Sequence, residues 1–135
     1  MKTQLLKTLQ HSRTYTLAVA EAMPEKSYSF KPTEAVWNFK ELIDHIAYGI
    51  EWWQNNFMKG NKIEWNPPGF KSTKKQVIEN LLQAFDTLEA TIHSMEINDR
   101  VIHGYYATLD HITHHRGQAT VYLRCQGIAP PEYSY

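Results

Sequence analysis

The sequence predicts an all-α fold, a four-helix bundle with a long crossover between helices two and three. Four segments of similar length place apolar residues at steps of three and four, the period of a helix with one buried face. Capping residues, prolines and glycines separate those segments, and no convincing strand pattern lies between them. The connection between the second and third segments is long enough to run the length of the bundle. About thirteen residues at ~3.3 Å each reach roughly 43 Å, whereas a helix of about nineteen residues is only ~29 Å long.

The first helix is expected from Lys2 to about Ala22, with Leu5, Leu9, Ser12, Thr16, Ala20 and Met23 on one face and Pro24 ending it. Residues 24–38, including Ser27-Tyr-Ser-Phe-Lys-Pro32, form an extended, aromatic connection. Asn38 looks like an N-cap with Glu41 as its capping-box partner, so the second helix runs from Phe39 to about Met58. Its inward face reads Leu42, His45, Ile46, Gly49, Trp52 or Trp53, and Phe57. Gly60 and Asn66-Pro-Pro-Gly69 mark the crossover, and Thr73 with Gln76 offers a second capping box. The third helix carries the stripe Val77, Leu81, Phe85, Leu88, Ile92 and Met95. Asn98 and Gly104 bracket a short break, so the fourth helix starts at Tyr105 or Thr108 and ends at Gln126. Gly127 is its C′ residue, with Pro130-Pro131 beyond.

A chain of 135 residues, 42% hydrophobic and 21% charged, suits a single domain over residues 1–135. Lys plus Arg equals Asp plus Glu at 14 each, and without a basic run a nucleic-acid partner is not expected. Cys125 is the only cysteine, which excludes an internal disulfide and is compatible with a reducing compartment. Lys7, Gln10, His11, Ser12 and Arg13 interrupt the apolar residues near the N-terminus, so no signal-peptide region is read there. No run approaches the ~20 residues of a membrane span. The expectation is a soluble, cytoplasmic protein with no membrane partner.

The chemistry concentrates between Thr108 and Gln118. His111 and His115 stand four residues apart on one helical face, roughly 6 Å apart at Cβ, where two imidazoles can share a metal ion. Two ligands on one helix leave a site incomplete, and His45 is the one histidine on the apolar face of helix two. A lone histidine on such a face is more often a hydrogen-bonded core residue. The combination is more specific, because His111, His115, Gln118 and Tyr122 form one polar stripe that is costly to turn inward without partners. Three neutral imidazoles leave coordination positions open for water or substrate, unlike a closed structural zinc site. With imidazole ligands zinc, nickel, iron, cobalt and manganese are all candidates, and affinity order alone does not choose among them. A divalent ion there would lower the pKa of a bound thiol or water and hold its conjugate base near neutral pH.

These residues also carry a likeness. His45 within Leu-Ile-Asp-His-Ile-Ala, the block Asp110-His-Ile-Thr-His-His-Arg-Gly-Gln118, Tyr122-Leu-Arg124, Gly127 and Pro130-Pro131 together resemble the DinB/YfiT superfamily over nearly the whole chain. The most specific part is the His-His-Arg-Gly-Gln block with the Pro-Pro tail. The resemblance implies a bundle with a long crossover between helices two and three, and a divalent metal, commonly nickel or zinc, on a histidine triad. Carried over by position, that triad is His45, His111 and His115. Characterised relatives include S-transferases and isomerases that use low-molecular-weight thiols, and many members have no assigned reaction.

Other residues have two readings each. Glu41, one turn before His45, either hydrogen-bonds the His45 ring or closes the capping box with Asn38. His114, about 100° round the helix from His115, is an acid–base candidate or a packing group. Arg116 is expected in a structural ion pair, and Gly117 at a close helix approach that offsets its ~1 kcal/mol cost relative to alanine. Gln118 is placed to hydrogen-bond a metal-bound water or a triad imidazole. Cys125, ~15 Å along the axis from His115, is too far to ligate and is expected as a small core residue. Trp52, Trp53, Phe57 and Trp65 suit a pocket mouth, the core, or the interface of a homodimer. His11, His93 and His103 fall outside the constellation and are expected to be exposed.

The leading reading is a metal-dependent transferase or hydrolase acting on a small molecule, with a thiol or water as nucleophile. Its candidate catalytic side chains are Glu41, His114 and Gln118. A second reading is a non-catalytic bundle of stress-response type that binds metal or a small ligand. A third is an interaction module with metal-free histidines.

Overall fold

The computed structural model describes residues 1–69 and 72–133. Four long helices, α1 (Lys2–Ala22), α2 (Phe39–Trp53), α3 (Lys74–Ser94) and α4 (Asp99–Cys125), carry the fold, and no strand occurs among the described residues. The expected all-α bundle is therefore what the chain forms. Each apolar stripe is buried: Leu5, Leu9, Val19 and Ala20 from α1, Leu42, Ile43, Ile46 and Ile50 from α2, Leu81, Phe85 and Leu88 from α3, Tyr105, Ile112 and Leu123 from α4.

Local signals explain the ends. Asn38 Oδ1 accepts from Glu41 N–H at 2.8 Å to start α2. Thr73 and Gln76 close a reciprocal capping box at α3. At the end of α4, Gly127 adopts φ +72°, with Gly127 N–H donating to Arg124 O and Ile128 N–H to Leu123 O. That pair of bonds is a Schellman motif, which favours glycine at C′. Helix α2 runs on as a π-helical turn from Gln54 to Met58, so the helical span Phe39–Met58 matches its expected length.

One expectation fails at α4. The helix starts at Asp99, because Asn98 Oδ1 accepts from Val101 N–H at 3.0 Å. Gly104 is therefore not a break; it is a point of close packing. A Cβ there would meet the backbone C and O of Phe57, each at 2.5 Å, where the π turn crosses α4. Gly117 behaves in the opposite way: nothing lies within 4 Å of a Cβ built there, so no neighbouring helix explains it. Gly104→Ala should thus destabilise the protein by about 1–3 kcal/mol through overpacking. Gly117→Ala should stabilise it by up to ~1 kcal/mol through helix propensity. Urea melts of the two variants check both signs.

Contacts along the helices give the topology. His93, Asp86 and Lys74 of α3 reach Lys2, Arg13 and Glu21 of α1, an antiparallel pair. Leu5 meets Tyr105 and Thr16 meets Arg116, so α1 and α4 are parallel. Gln54 accepts from Thr91, and Thr87, one turn earlier on α3, acts on Glu51 of α2, so α2 and α3 also run in parallel. The segment between α2 and α3 accordingly returns along the bundle, as its length suggested. It is pinned to α2 on the way: Trp52 Nε1–H donates to Ile63 O at 2.9 Å, and Asn66 N–H donates to the Tyr48 hydroxyl at 2.8 Å.

Two further expectations are corrected. Cys125 is exposed, because it lies one turn after the exposed Val121 on the outer face of α4, while Tyr122 and Leu123 of the same turn face the core. Arg116 is buried but forms no ion pair among the described residues; its guanidinium lies over the Tyr15 ring at 4.9 Å.

Candidate metal centre

Helix α2 runs antiparallel to α4, with Met58 near Gly104 at one end and His45 near His115 at the other. That pairing brings the three predicted imidazoles together. His45 Nε2 lies 3.0 Å from His111 Nε2 and 3.0 Å from His115 Nε2. Gly49, one turn after His45, makes the approach possible. A Cβ at that position would stand 2.2 Å from His111 Cε1 and 2.5 Å from its Nδ1. Only a residue without a side chain leaves room for the ring.

Hydrogen bonding among the rings does not account for this arrangement. His115 Nδ1–H donates to Gln118 Oε1 at 2.8 Å, which leaves a lone pair on His115 Nε2. His45 Nε2 has two close nitrogen neighbours but can take part in only one N–H···N bond with three neutral rings. At most one of the two contacts is therefore a well-directed N–H···N bond. His111 Nδ1 is buried without a partner, so no hydrogen bond at that atom fixes the ring's tautomer. A cation accepting all three Nε2 lone pairs removes the conflict, and the donor set fits a divalent ion. His45, His111 and His115 are the one group of His, Cys, Asp or Glu able to hold a metal among the described residues.

The rings are kept ready to ligate. Burial, then the His115 and His114 charges, pushes His45 down to about 4. Burial, then His115, His45 and His114, pushes His111 down to about 3. Burial also lowers His115, against the hydrogen bond to Gln118. Neutral imidazoles at neutral pH are the ligating form. The sign for stability follows from linkage. Unfolded histidines bind a proton near the usual 6.5, while folded His45 and His111 do so only far below it. The metal-free protein should therefore hold this contribution above pH 6.5 and lose it as pH falls towards 4. Asp44, raised to about 6 by burial despite Lys40, works in the opposite direction. Burial raises Glu51 as well, so denaturant melts of the chelated Asp44→Asn, Glu51→Gln protein at pH 7 and pH 5 test the histidine effect, with lower stability expected at pH 5.

Aromatic rings wall the centre. Trp37 lies 4.4 Å from the His45 ring and 5.9 Å from His115; Trp65 lies 5.3 Å from His45, and Trp53 5.8 Å from His111. Trp65 arrives on the crossover, packed on Tyr48 and Trp52. Trp37 arrives on the connection before α2, where Tyr122 O–H donates to its carbonyl at 2.8 Å. Trp53 and Phe57 stack at 4.8 Å. The aromatic cluster thus borders the triad, joined by Trp37, which the sequence reading did not single out. A groove of about 570 Å³, lined by Val36, Trp37, Val121 and Tyr122, ends at His115 and Gln118. Its size is that of a small-molecule site.

The other candidates fall at known places. Gln118 is exposed and bonds a triad imidazole, as described. Loss of such a partner costs about 10–100-fold in metal affinity, and exposure puts Gln118→Ala near the lower bound, about tenfold. A competition titration against a chromogenic chelator measures it. Glu41 makes no side-chain hydrogen bond to His45 or to Asn38 among the described residues, and its charge instead acts on the Tyr122 hydroxyl. His114 is exposed, with its ring 4.7 Å from that of His115. His11, His93 and His103 are exposed and lie outside the triad.

Known proteins share the family and the fold of this chain. The chain matches the DinB superfamily over residues 8–119. It belongs to that superfamily. The fold of this DinB-superfamily chain is similar to a DinB-like protein from Bacillus cereus ATCC 10987, at 19% identity and TM-score 0.79, covering 97% of this chain and 95% of that one. It is also similar to a DinB-like protein, YjoA, from Bacillus subtilis, at 23% identity and TM-score 0.67, covering 98% and 96%. No curated protein matches the chain. No helix among the described residues is long and apolar enough to cross a membrane.

Proposed function

We propose that this DinB-superfamily protein is a divalent-metal-dependent enzyme in which His45, His111 and His115 hold nickel or zinc. The reaction is transfer or hydrolysis on a small molecule, with thiol S-transfer as the favoured class. The observation that carries the reading is the convergence of three Nε2 atoms with no fourth protein ligand among the described residues. A three-ligand centre keeps a place for an exchangeable guest, which a closed structural site does not. When bound, the ion would supply Lewis-acid lowering of the guest's pKa.

The chain's own residues do the rest. Gln118 holds His115 in the tautomer that presents its Nε2 lone pair. Trp37, Trp53 and Trp65 cover the imidazoles and limit water around them. The groove beside His115 carries no charged side chain, which suits an uncharged electrophile. In thiol transfer a C–S bond forms at the electrophilic carbon, the leaving group departs with its electron pair, and the thiol proton passes to solvent.

The test is cobalt substitution followed by thiol titration. The reading expects visible absorption bands of three-nitrogen cobalt that change on adding a small thiol, with a sulfur-to-metal charge-transfer band. Bands that form but ignore thiol, azide and other small ligands would favour the non-catalytic reading.

A further inference from the structure

Arg116 follows the ligand His115 in sequence but faces the other way, into the seam between α1 and α4. It is only 6% exposed, and its partners are neutral. One N–H reaches Thr16 Oγ1 at a long 3.4 Å, and the guanidinium carbon lies 4.9 Å from the centre of the Tyr15 ring and 5.7 Å from that of Tyr133. A guanidinium has five N–H donors, so most have no partner among the described residues. No carboxylate pairs with it among the described residues; Asp86 and Glu89 are taken by Arg13. Burying a cation without a counter-charge is costly, and cation–π contacts offset only part of that cost.

The guanidinium borders a cavity of about 70 Å³, lined also by Thr8, His11, Ser12, Thr113 and Tyr133. Ser12 also lines it, though its Oγ is sealed from the cavity and has no hydrogen-bond partner. A buried cation thus borders a space larger than the ~30 Å³ share of one water. We propose that this cavity is a binding site for a small monovalent anion, a halide or formate, held by Arg116 beneath Tyr133. The volume excludes a sugar phosphate or a nucleotide. Tyr133 packs edge-on against Tyr15 at 5.1 Å, and Tyr15 O–H donates to Pro131 O, so the C-terminal segment closes the site. An anion bound here ties residues 131–133 to the bundle. The site is on a different seam from the histidine triad and stands or falls independently of it.

The test uses the full chain in two arms. Melting is measured in sodium bromide, chloride or formate against sodium gluconate at equal ionic strength, gluconate being too large for the cavity. A rise of roughly 5 °C is expected at tenfold excess over the dissociation constant, growing with the logarithm of anion concentration beyond it. Crystals grown in bromide should show an anomalous peak within hydrogen-bonding distance of the Arg116 guanidinium. Ser12→Leu, which fills the cavity, should abolish the melting difference, and it keeps the test open if Arg116→Gln does not fold. Equal melting in bromide and gluconate, or crystals with no bromide at Arg116, would overturn the proposal.

Discussion

Replacing His45 with alanine is expected to abolish stoichiometric divalent-metal binding while leaving the bundle folded. His45 Nε2 is the atom from which both other triad nitrogens lie 3.0 Å away, so its loss removes the centre's only ligand from α2. Two imidazoles on one helix then remain. The loss should exceed the about 10–100-fold that accompanies removal of a partner outside the ligand set. Thermal melting separates the contributions. For the native protein a saturating metal stabilises by ~4 kcal/mol at a thousandfold excess over the dissociation constant. The variant should show no metal-dependent shift. Its metal-free melting should equal or exceed that of the native chain, because an unfavourable contact between ring nitrogens has been removed. Native-like metal content in His45→Ala, measured by elemental analysis, would contradict the assignment.

Gly49→Ala is expected to weaken metal binding by at least tenfold without weakening the metal-free fold. Inside a helix, alanine for glycine usually gains 0.5–1 kcal/mol, or roughly that. Here the added methyl would stand 2.2 Å from His111 Cε1 and 3.3 Å from its Nε2, so the ring must turn away. Trp53, 5.8 Å from that ring on the same helix, restricts where it can go. Propensity and ligand geometry therefore pull in opposite directions. Helical circular dichroism and chelated melting should be retained or improved as metal affinity falls. Unchanged affinity would show that His111 is not held as described.

These variants also show where sequence was informative. The triad could be read because two of its members share a helical face and the third interrupts an apolar stripe, so periodicity alone places them. Gly49 sat on the same inward face, but its role depends on His111 of another helix, which no local pattern reveals. Gly104 read as a break for the same reason: a glycine packed on the Phe57 backbone looks like a glycine that ends a helix. Trp37 lies in a segment without period and is placed by the Tyr122 hydrogen bond to its carbonyl, a contact 85 residues long in sequence. Arg116 carried the expectation of an ion pair because its direction departs from the triad face. Burial against Tyr15 and Tyr133 decided otherwise.

The order of helices and the crossover were legible from loop lengths and caps, since both follow from chain reach and local hydrogen bonding. What the crossover does was not. Its hydrogen bonds to Trp52, Asn56 and Tyr48 lay Trp65 against His45, converting a connection into a wall of the centre.

Anomalous diffraction at a metal absorption edge, on crystals of the native protein, tests the central claim most directly. The account predicts one divalent ion per chain bonded to Nε2 of His45, His111 and His115 at ~2.0–2.1 Å, with at least one further position held by an exchangeable ligand. Fully loaded crystals whose ion sits elsewhere, or whose ion is closed by a fourth protein side chain, would contradict it.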